Sequence, residues 1–161
     1  MIYTDMTRLA IKIAFEAHSG QNDRSGIPYI LHPIHVAEQM KDEVTTIVAL
    51  LHDVVEDTNV TLEDLKNYGF SKEVIDAIEV LTHKDGTKYL DYVRKVAQNP
   101  IARKVKIEDV KHNTDLTRTI NPNDKIFKKM PVYMEALKVL KEMEEGSKSA
   151  TPNKGSDPFT M

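Results

Sequence analysis

The chain of 161 residues contains no cysteine, and its net charge is only −3. Without cysteine there is no disulfide and no thiolate ligand, so any metal must be bound by His, Asp or Glu. The small net charge favours neither nucleic acid nor a membrane surface. No apolar run approaches the roughly 20 residues of a membrane span, and the start "MIYTDMTRLA" does not resemble a signal peptide. We therefore expect no nucleic-acid or membrane partner and a cytoplasmic location.

Apolar side chains recur at helical spacing along most of the chain, and Gly and Pro residues separate the segments. No segment reads convincingly as a strand, so the pattern predicts an all-α fold with a single domain over residues 1–145. Residues 146–161, "GSKSATPNKGSDPFTM", are rich in Ser, Pro, Gly and Lys and lack periodicity. We expect them to form a flexible C-terminal tail, and a vector origin would explain their composition.

Several helix boundaries have sequence signals. Thr61 and Asp64 form a capping-box pattern at the start of a short helix. Asn99-Pro100 fits the cap and first residue of a long helix that continues to about residue 119. Because proline is unfavourable inside a helix, the last helix is expected to begin at Pro131.

The stretch "ALLHDVVEDT" lies within a helix expected from about Glu43 to Thr58 and concentrates charge there. Its titratable side chains are His52, Asp53, Glu56 and Asp57. At 100° per residue they share one arc of about 140°, with Leu and Val on the opposite side. The arc has no Lys or Arg to pair with its carboxylates, which lie toward the helix C-terminus, where anions are disfavoured. Such an arc is ordinarily a solvated face, but a bound divalent cation would explain the clustered carboxylates.

Two other segments could complete a metal site. The candidates are His32 and His35 in "YILHPIHVA", and Asp109, His112 and Asn113 in "KIEDVKHNTD". His32 precedes Pro33 at a helix start, which is a well-fixed position for a ligand. Taken singly, the three residues of the second segment are better explained by ordinary helix polarity, and His35 by an interior or surface position.

The combination of motifs resembles the HD-domain metallo-phosphohydrolases. The matching blocks are "AHSGQNDRSGIPYILHPIHVA", "VALLHDVVEDT", "LTHKDG" and "ARKVKIEDVKHNTDLT", which together span roughly residues 15–117. Within that family the chain is similar to the hydrolase domain of the RelA/SpoT-type enzymes and to their small hydrolase-only relatives, which degrade the alarmones ppGpp and pppGpp. The resemblance implies a helical HD-domain bundle and a (p)ppGpp 3′-pyrophosphohydrolase activity.

The resemblance also implies roles for particular residues. It assigns one divalent metal ion to His32, His52, Asp53 and Asp109. Mn²⁺ is the expected ion, and Fe²⁺, Co²⁺ or Zn²⁺ also suits such a mixed N/O set. Glu56 and Asp57 match the catalytic acids beside the attacking water, with Glu56 expected to orient or deprotonate it. Arg24, Ser25 and Asn113 match positions that contact the nucleotide substrate.

Two positions depart from the family pattern. The family usually has two successive basic residues before its Ser-Gly. Here only the second position is basic, because Asp23 precedes Arg24. Asp115 stands where the family often has Arg. Acids near a polyanion cost affinity, so the pattern leaves the substrate open. The alternatives are an HD-domain phosphohydrolase for another nucleotide, such as a monophosphate phosphatase, or a non-catalytic nucleotide-binding helical module. Glu56 and Asp57 argue against the latter.

Overall fold

The computed structural model describes residues 1–150, which form nine α-helices and one 3₁₀ helix. The α-helices are α1 (Asp5–Ala17), α2 (Leu31–Glu38), α3 (Glu43–Leu51), α4 (Val54–Asp57), α5 (Leu62–Asn67), α6 (Lys72–Leu81), α7 (Tyr89–Gln98), α8 (Pro100–Asn113) and α9 (Ile126–Ser149), and the 3₁₀ helix is Leu116–Arg118. Within these residues the predicted all-α fold is confirmed, since the one β-feature is an isolated bridge between Asn22 and Pro28. Among residues 1–150, every helix is too short or too polar to cross a lipid bilayer.

Helix α3 lies at the centre of the bundle. Every side chain from Thr45 to Leu51 is buried, and the helix packs against α1, α2, α6 and α8. Such all-round burial is what a helix in the middle of a core requires. It anchors the C-terminal end of α3, where the charged stretch begins, between α2 and α8.

Two predicted helix starts are confirmed. Thr61 accepts a hydrogen bond from the backbone N–H of Asp64, and the Asp64 side chain accepts one from the N–H of Thr61, which completes a capping box. The side chain of Asn99 accepts from two backbone N–H groups at the start of α8, and Pro100 occupies the first helical position.

The predicted continuous helix from Glu43 to Thr58 is wrong. Helix α3 ends at Leu51 and α4 begins at Val54; between them His52 keeps helical angles, and Asp53 departs from them with φ −103° and ψ −4°. Periodicity missed this break because the apolar residues on both sides keep helical spacing.

Two further boundaries differ from the prediction. Helix α8 ends at Asn113 instead of near residue 119, because Asp115 is extended and accepts the N–H of Thr117 to start the 3₁₀ helix. Helix α9 begins at Ile126 and contains Pro131 in its second turn, where a missing N–H removes one backbone hydrogen bond and leaves the rest of the helix intact.

The end of α9 overlaps the segment predicted to be a tail. Residues 146–149 are helical, and the buried guanidinium of Arg103 donates to Glu144 at 2.7 Å and to Ser147 at 3.2 Å. These contacts give the last turn of α9 a partner on α8 that the composition of the segment did not suggest. The remainder of the predicted tail, residues 151–161, lies outside the described residues.

Candidate metal centre

Four predicted ligands meet in the interior of the bundle, and we call them the ligand cluster. They are His32 from α2, His52 and Asp53 from the break between α3 and α4, and Asp109 from α8. One ligand atom from each lies within 4.8 Å of the others. His52 Nε2 is 2.9 Å from Asp53 Oδ2, and His32 Nε2 is 3.0 Å from Asp109 Oδ1.

The break after α3 brings two consecutive residues to one point. Successive side chains of a regular helix diverge by about 100°. Here His52 and Asp53 follow each other in sequence, yet their polar atoms are in contact. The helix interruption that the periodicity concealed therefore allows both residues to join the ligand cluster.

The members of the ligand cluster shift one another's pKa values. Burial disfavours charged His52, but the carboxylates of Asp53 and Asp109 outweigh it and raise the pKa of His52 well above its usual value. Burial also disfavours charged Asp53, yet His52 lowers the pKa of Asp53 to about 2. Against burial, Lys106 and His32 hold the pKa of Asp109 well below its usual range. Both carboxylates are therefore anionic at neutral pH and attract positive charge.

The environment of His52 shows that the cluster fits a metal ion. Its Nδ1 donates to the carbonyl oxygen of Ala49 at 2.6 Å, so in the neutral ring the lone pair is on Nε2. Within residues 1–150, that buried Nε2 has no hydrogen-bond partner, although Asp53 Oδ2 is close. A divalent cation among the ligand atoms would satisfy the imidazole nitrogens and the carboxylates together, and two nitrogens with two oxygens suit a first-row transition ion.

Further side chains hold the ligands from outside. The hydroxyl of Tyr29 donates to Asp53 Oδ2 at 2.5 Å. Lys106 Nζ donates to Asp109 Oδ2 at 2.8 Å, and Asn113 Nδ2 donates to Asp109 Oδ1 at 2.8 Å. Such outer partners orient metal ligands and tune their basicity.

Three further side chains surround the ligand cluster, namely Tyr29, Lys106 and His112. The first two had no predicted role, whereas His112 was a candidate ligand and instead lies with its Nδ1 atom 2.6 Å from Nδ1 of His32. Each lies three positions along the chain from a predicted ligand. On α8 that spacing places Lys106 on the same helix face as Asp109, a signal that the prediction left unused.

Glu56 and Asp57 lie on α4 at the solvent side of the ligand cluster. Carboxylate oxygens of Asp53, Glu56 and Asp57 lie within 4.8 Å of one another. Glu56 Oε1 accepts a hydrogen bond from the backbone N–H of His83 at 2.5 Å. Burial, and then the charge of Asp53, raises the pKa of both Glu56 and Asp57. These acids open onto a cavity of about 450 Å³ that is also lined by Asp109 and Lys106.

Asp23 and Ser25, from the loop before α2, contact Arg118 of the 3₁₀ helix, and we call these three residues the loop latch. They line a second cavity of about 200 Å³. Arg118 Nη2 is 3.2 Å from Asp23 Oδ2, and Ser25 Oγ donates to the carbonyl oxygen of Arg118 at 2.8 Å. The two cavities share Tyr29 and Asn113 in their walls. The latch thus closes one side of a cleft that continues past the ligand cluster.

The remaining predicted substrate contact and the two departures also lie at this second cavity. Arg24 forms an ion pair with Asp124 at 3.3 Å. Asp23 Oδ1 accepts from the backbone N–H groups of Ser25 and Ile27 in addition to its contact with Arg118. Asp115 caps the 3₁₀ helix. Both acids therefore have local structural partners that the sequence pattern did not reveal.

The geometry agrees with the comparison of this chain with known families. A family model described as "HD domain" matches residues 10–113, a range that contains the whole ligand cluster. The chain belongs to the HD domain family.

Curated proteins with a similar sequence are named for the synthesis or hydrolysis of (p)ppGpp. The chain is 41% identical over 96 residues to the bifunctional (p)ppGpp synthase/hydrolase SpoT of Escherichia coli K12, an alignment that covers 57% of this chain and 14% of SpoT. It is 41% identical over 102 residues to a guanosine-3′,5′-bis(diphosphate) 3′-pyrophosphohydrolase of Vibrio cholerae, covering 61% of this chain and 14% of the relative. The chain therefore spans only about one seventh of the length of these curated relatives.

A solved structure supports the fold. It is that of a metazoan ortholog of SpoT, described as hydrolysing ppGpp, and it superposes with a TM-score of 0.67. The match covers 91% of this chain and 98% of that protein at 20% identity. At this level of identity the match shows a shared helical fold.

Proposed function

We propose that this protein is a metal-dependent phosphohydrolase that removes pyrophosphate from the 3′ position of guanosine-3′,5′-bis(diphosphate). The observation that carries this proposal is the ligand cluster, in which two imidazoles and two carboxylates meet beside Glu56 and Asp57 of α4. The names of the curated relatives supply the substrate class. We further propose Mn²⁺ as the ion and the cytoplasm as the location; the absence of cysteine fits a reducing compartment.

When a divalent ion is bound, it lowers the pKa of water and neutralises charge on the phosphoryl group. We assign to Glu56 the removal of a proton from the attacking water. The N–H of His83 holds one oxygen of Glu56, and burial raises the pKa of this carboxyl, which makes it a better proton acceptor. Asp57 lies beside it and fixes the orientation of the same water.

In the proposed reaction one bond forms, one bond breaks and one proton is transferred. The oxygen of water forms a bond to the phosphorus attached to the ribose 3′ oxygen, and the bond between that phosphorus and the 3′ oxygen breaks. The proton accepted by Glu56 is returned to the 3′ oxygen, so the products are GDP and pyrophosphate. In this proposal the nucleoside occupies the second cavity, with Arg24, Ser25 and Asn113 along its wall.

A second candidate is an HD-domain phosphohydrolase of another nucleotide, such as a nucleoside monophosphate. The observation that favours it is the presence of Asp23 and Asp115 in the wall of the second cavity, because acids there repel a substrate with many phosphates. The ligand cluster and Glu56 would serve both substrates alike.

One screen separates these candidates. The purified protein is incubated with Mn²⁺ and, separately, with ppGpp, pppGpp, NADPH and common nucleotides, while pyrophosphate and orthophosphate are both measured. Release of pyrophosphate and GDP from ppGpp is the expected result. Release of orthophosphate from monophosphates alone would support the second candidate, and no turnover of any compound would support a binding module. His52→Ala should abolish both bound metal and turnover.

A further inference from the structure

His112 lies between two other histidines at the end of α8. Its ring stacks on that of His35, with centroids 4.0 Å apart and planes inclined by 15°. The ring of His32 is nearly coplanar with that of His112, with centroids 4.9 Å apart and planes inclined by 11°, and the two rings meet at their Nδ1 edges. One of these neighbours is a predicted metal ligand and the other is an exposed residue of α2. The position of His112 is therefore set by a contact on one face of its ring and a contact at its Nδ1 edge.

The contact between His112 and His32 has a specific chemical consequence. The Nδ1 atoms of the two rings are 2.6 Å apart, so one of them must carry the proton that the other accepts. His32 Nε2 faces the carboxylates of Asp109 and Asp53, at 3.0 Å and 3.7 Å. If Nε2 of His32 donates its lone pair to a cation, the proton of His32 must be on Nδ1. His112 Nδ1 is then the acceptor.

We propose that His112 is a positioning residue of the metal centre, which selects the tautomer and the ring orientation of His32 that bind the cation. His35 supports this role by covering the outer face of the His112 ring. The proposal rests on the proposed function only for the presence of a divalent ion, since it does not depend on which phosphate ester is cleaved. His112 differs from Tyr29, Lys106 and Asn113 because it acts on a nitrogen ligand, whose lone pair is available only in one tautomer.

Two substitutions separate hydrogen bonding from ring packing. His112→Asn keeps an acceptor oxygen near the position of Nδ1 but has no ring, whereas His112→Phe keeps a ring that can stack on His35 and has no acceptor. Affinity for Zn²⁺ and Mn²⁺ is measured by competition with a chromogenic chelator. We expect a loss of about 10- to 100-fold for His112→Phe, the size found for outer partners of metal ligands, and at most about 3-fold for His112→Asn.

A spectroscopic measurement adds a signature that a purely structural role would not move. In ¹⁵N-labelled wild-type protein loaded with Zn²⁺, the shifts of His32 should report a protonated Nδ1 and a coordinated Nε2, and His112→Asn should keep that pattern. Thermal unfolding of the metal-free variants identifies any that fail to fold. His35→Ala and His35→Phe test the supporting contact. We expect His35→Ala to lose less affinity than His112→Phe, and His35→Phe, which keeps a ring, to lose none.

The outcomes are distinct. A loss of affinity in His112→Asn that His112→Phe does not show would mean that the ring matters through packing, and unchanged affinity in both would show that it has no positioning role; either result overturns the proposal. A wild-type protein that binds metal but does not cleave ppGpp overturns the proposed substrate and leaves this inference standing. A wild type that binds no divalent ion overturns both.

Discussion

The ligand cluster and the loop latch are built in opposite ways. Three of the four ligands are at most 3% exposed, and all four come from helices or from the short break between two of them. The latch joins the loop before α2 to the 3₁₀ helix through groups that remain partly exposed, with the side chain of Arg118 at 28% and that of Asp23 at 17%. One region is held by the packed core, and the other by a few polar contacts near the surface.

This difference suits the ligand cluster to the chemical step and the loop latch to recognition of the substrate. Moving a ligand requires a helix of the core to move, and close-packed interiors resist such displacement. Changing the latch requires only the exchange of charged side chains on loops, where salt already screens the contacts. We therefore expect substitutions in the ligand cluster to change turnover, and substitutions in the walls of the second cavity to change which phosphate ester is accepted.

The largest expected effect comes from breaking the ligand cluster. Asp109→Asn replaces an anionic ligand oxygen and leaves Lys106 without its buried carboxylate. We expect loss of bound metal and a fall in turnover of more than about 100-fold, beyond the cost of losing an outer partner. Glu108→Gln is the matched control, because Glu108 is next in sequence but pairs with Lys111. Metal analysis and turnover are measured together, and a loaded, active Asp109→Asn protein would contradict the assignment.

The next effect should separate metal binding from proton transfer. Glu56→Gln keeps an oxygen for the N–H of His83 but removes the base. We expect turnover to fall at least about 100-fold, as for loss of a general base, while metal content is unchanged. Exposed Glu63 on α5 supplies the control variant Glu63→Gln. Full activity in Glu56→Gln would remove Glu56 from the mechanism.

A smaller effect is expected from breaking the loop latch. Arg118→Ala removes the contacts to Asp23 and to the carbonyl oxygen of His112. We expect KM to rise about 3- to 10-fold, the size of one partly exposed charged hydrogen bond, with kcat and metal content nearly unchanged. Arg8→Ala removes an exposed ion pair on α1 and should change neither constant. Loss of metal in Arg118→Ala would show that the latch and the ligand cluster are not separable.

The smallest effect sharpens the comparison by changing charge alone. Asp115→Asn keeps an oxygen to accept the N–H of Thr117 and removes one negative charge from the wall of the second cavity. KM for ppGpp should fall by about 2-fold at low salt, and the difference should disappear as salt increases. Asp5→Asn makes the same charge change on α1, away from both cavities. A rise in KM would mean that Asp115 binds the substrate.

Sequence patterns were sufficient where a signal was local. Helical spacing, the caps at Thr61 and Asn99, and the clustering of acids in "ALLHDVVEDT" each concern residues within a few turns, and the ligand cluster brings together the predicted histidines and aspartates. The predicted roles of Glu56 and Asp57, and of the substrate contacts, stay predictions.

The rest could not be read from local patterns. The contact between His32 and His112 joins residues 80 positions apart, and that between Asp23 and Arg118 joins residues 95 positions apart. The break at Asp53 changes backbone angles without changing the order of apolar and polar residues, so no periodicity could detect it. Helix-wheel geometry placed His52 and Asp53 on one face while assuming a continuous helix, and the structure brings them together through a break in that helix.

Because the ligands come from α2, from the break after α3 and from α8, a cation bound by all four would be a cross-link between distant parts of the chain. A cation that binds the folded state and not the unfolded chain raises the free energy of unfolding, by about 2.7 kcal/mol at one hundred times its dissociation constant. The melting temperature of the protein would then record the concentration of free metal around it. Loss of the ion would then make the protein easier to unfold, in addition to removing the proposed hydrolytic activity.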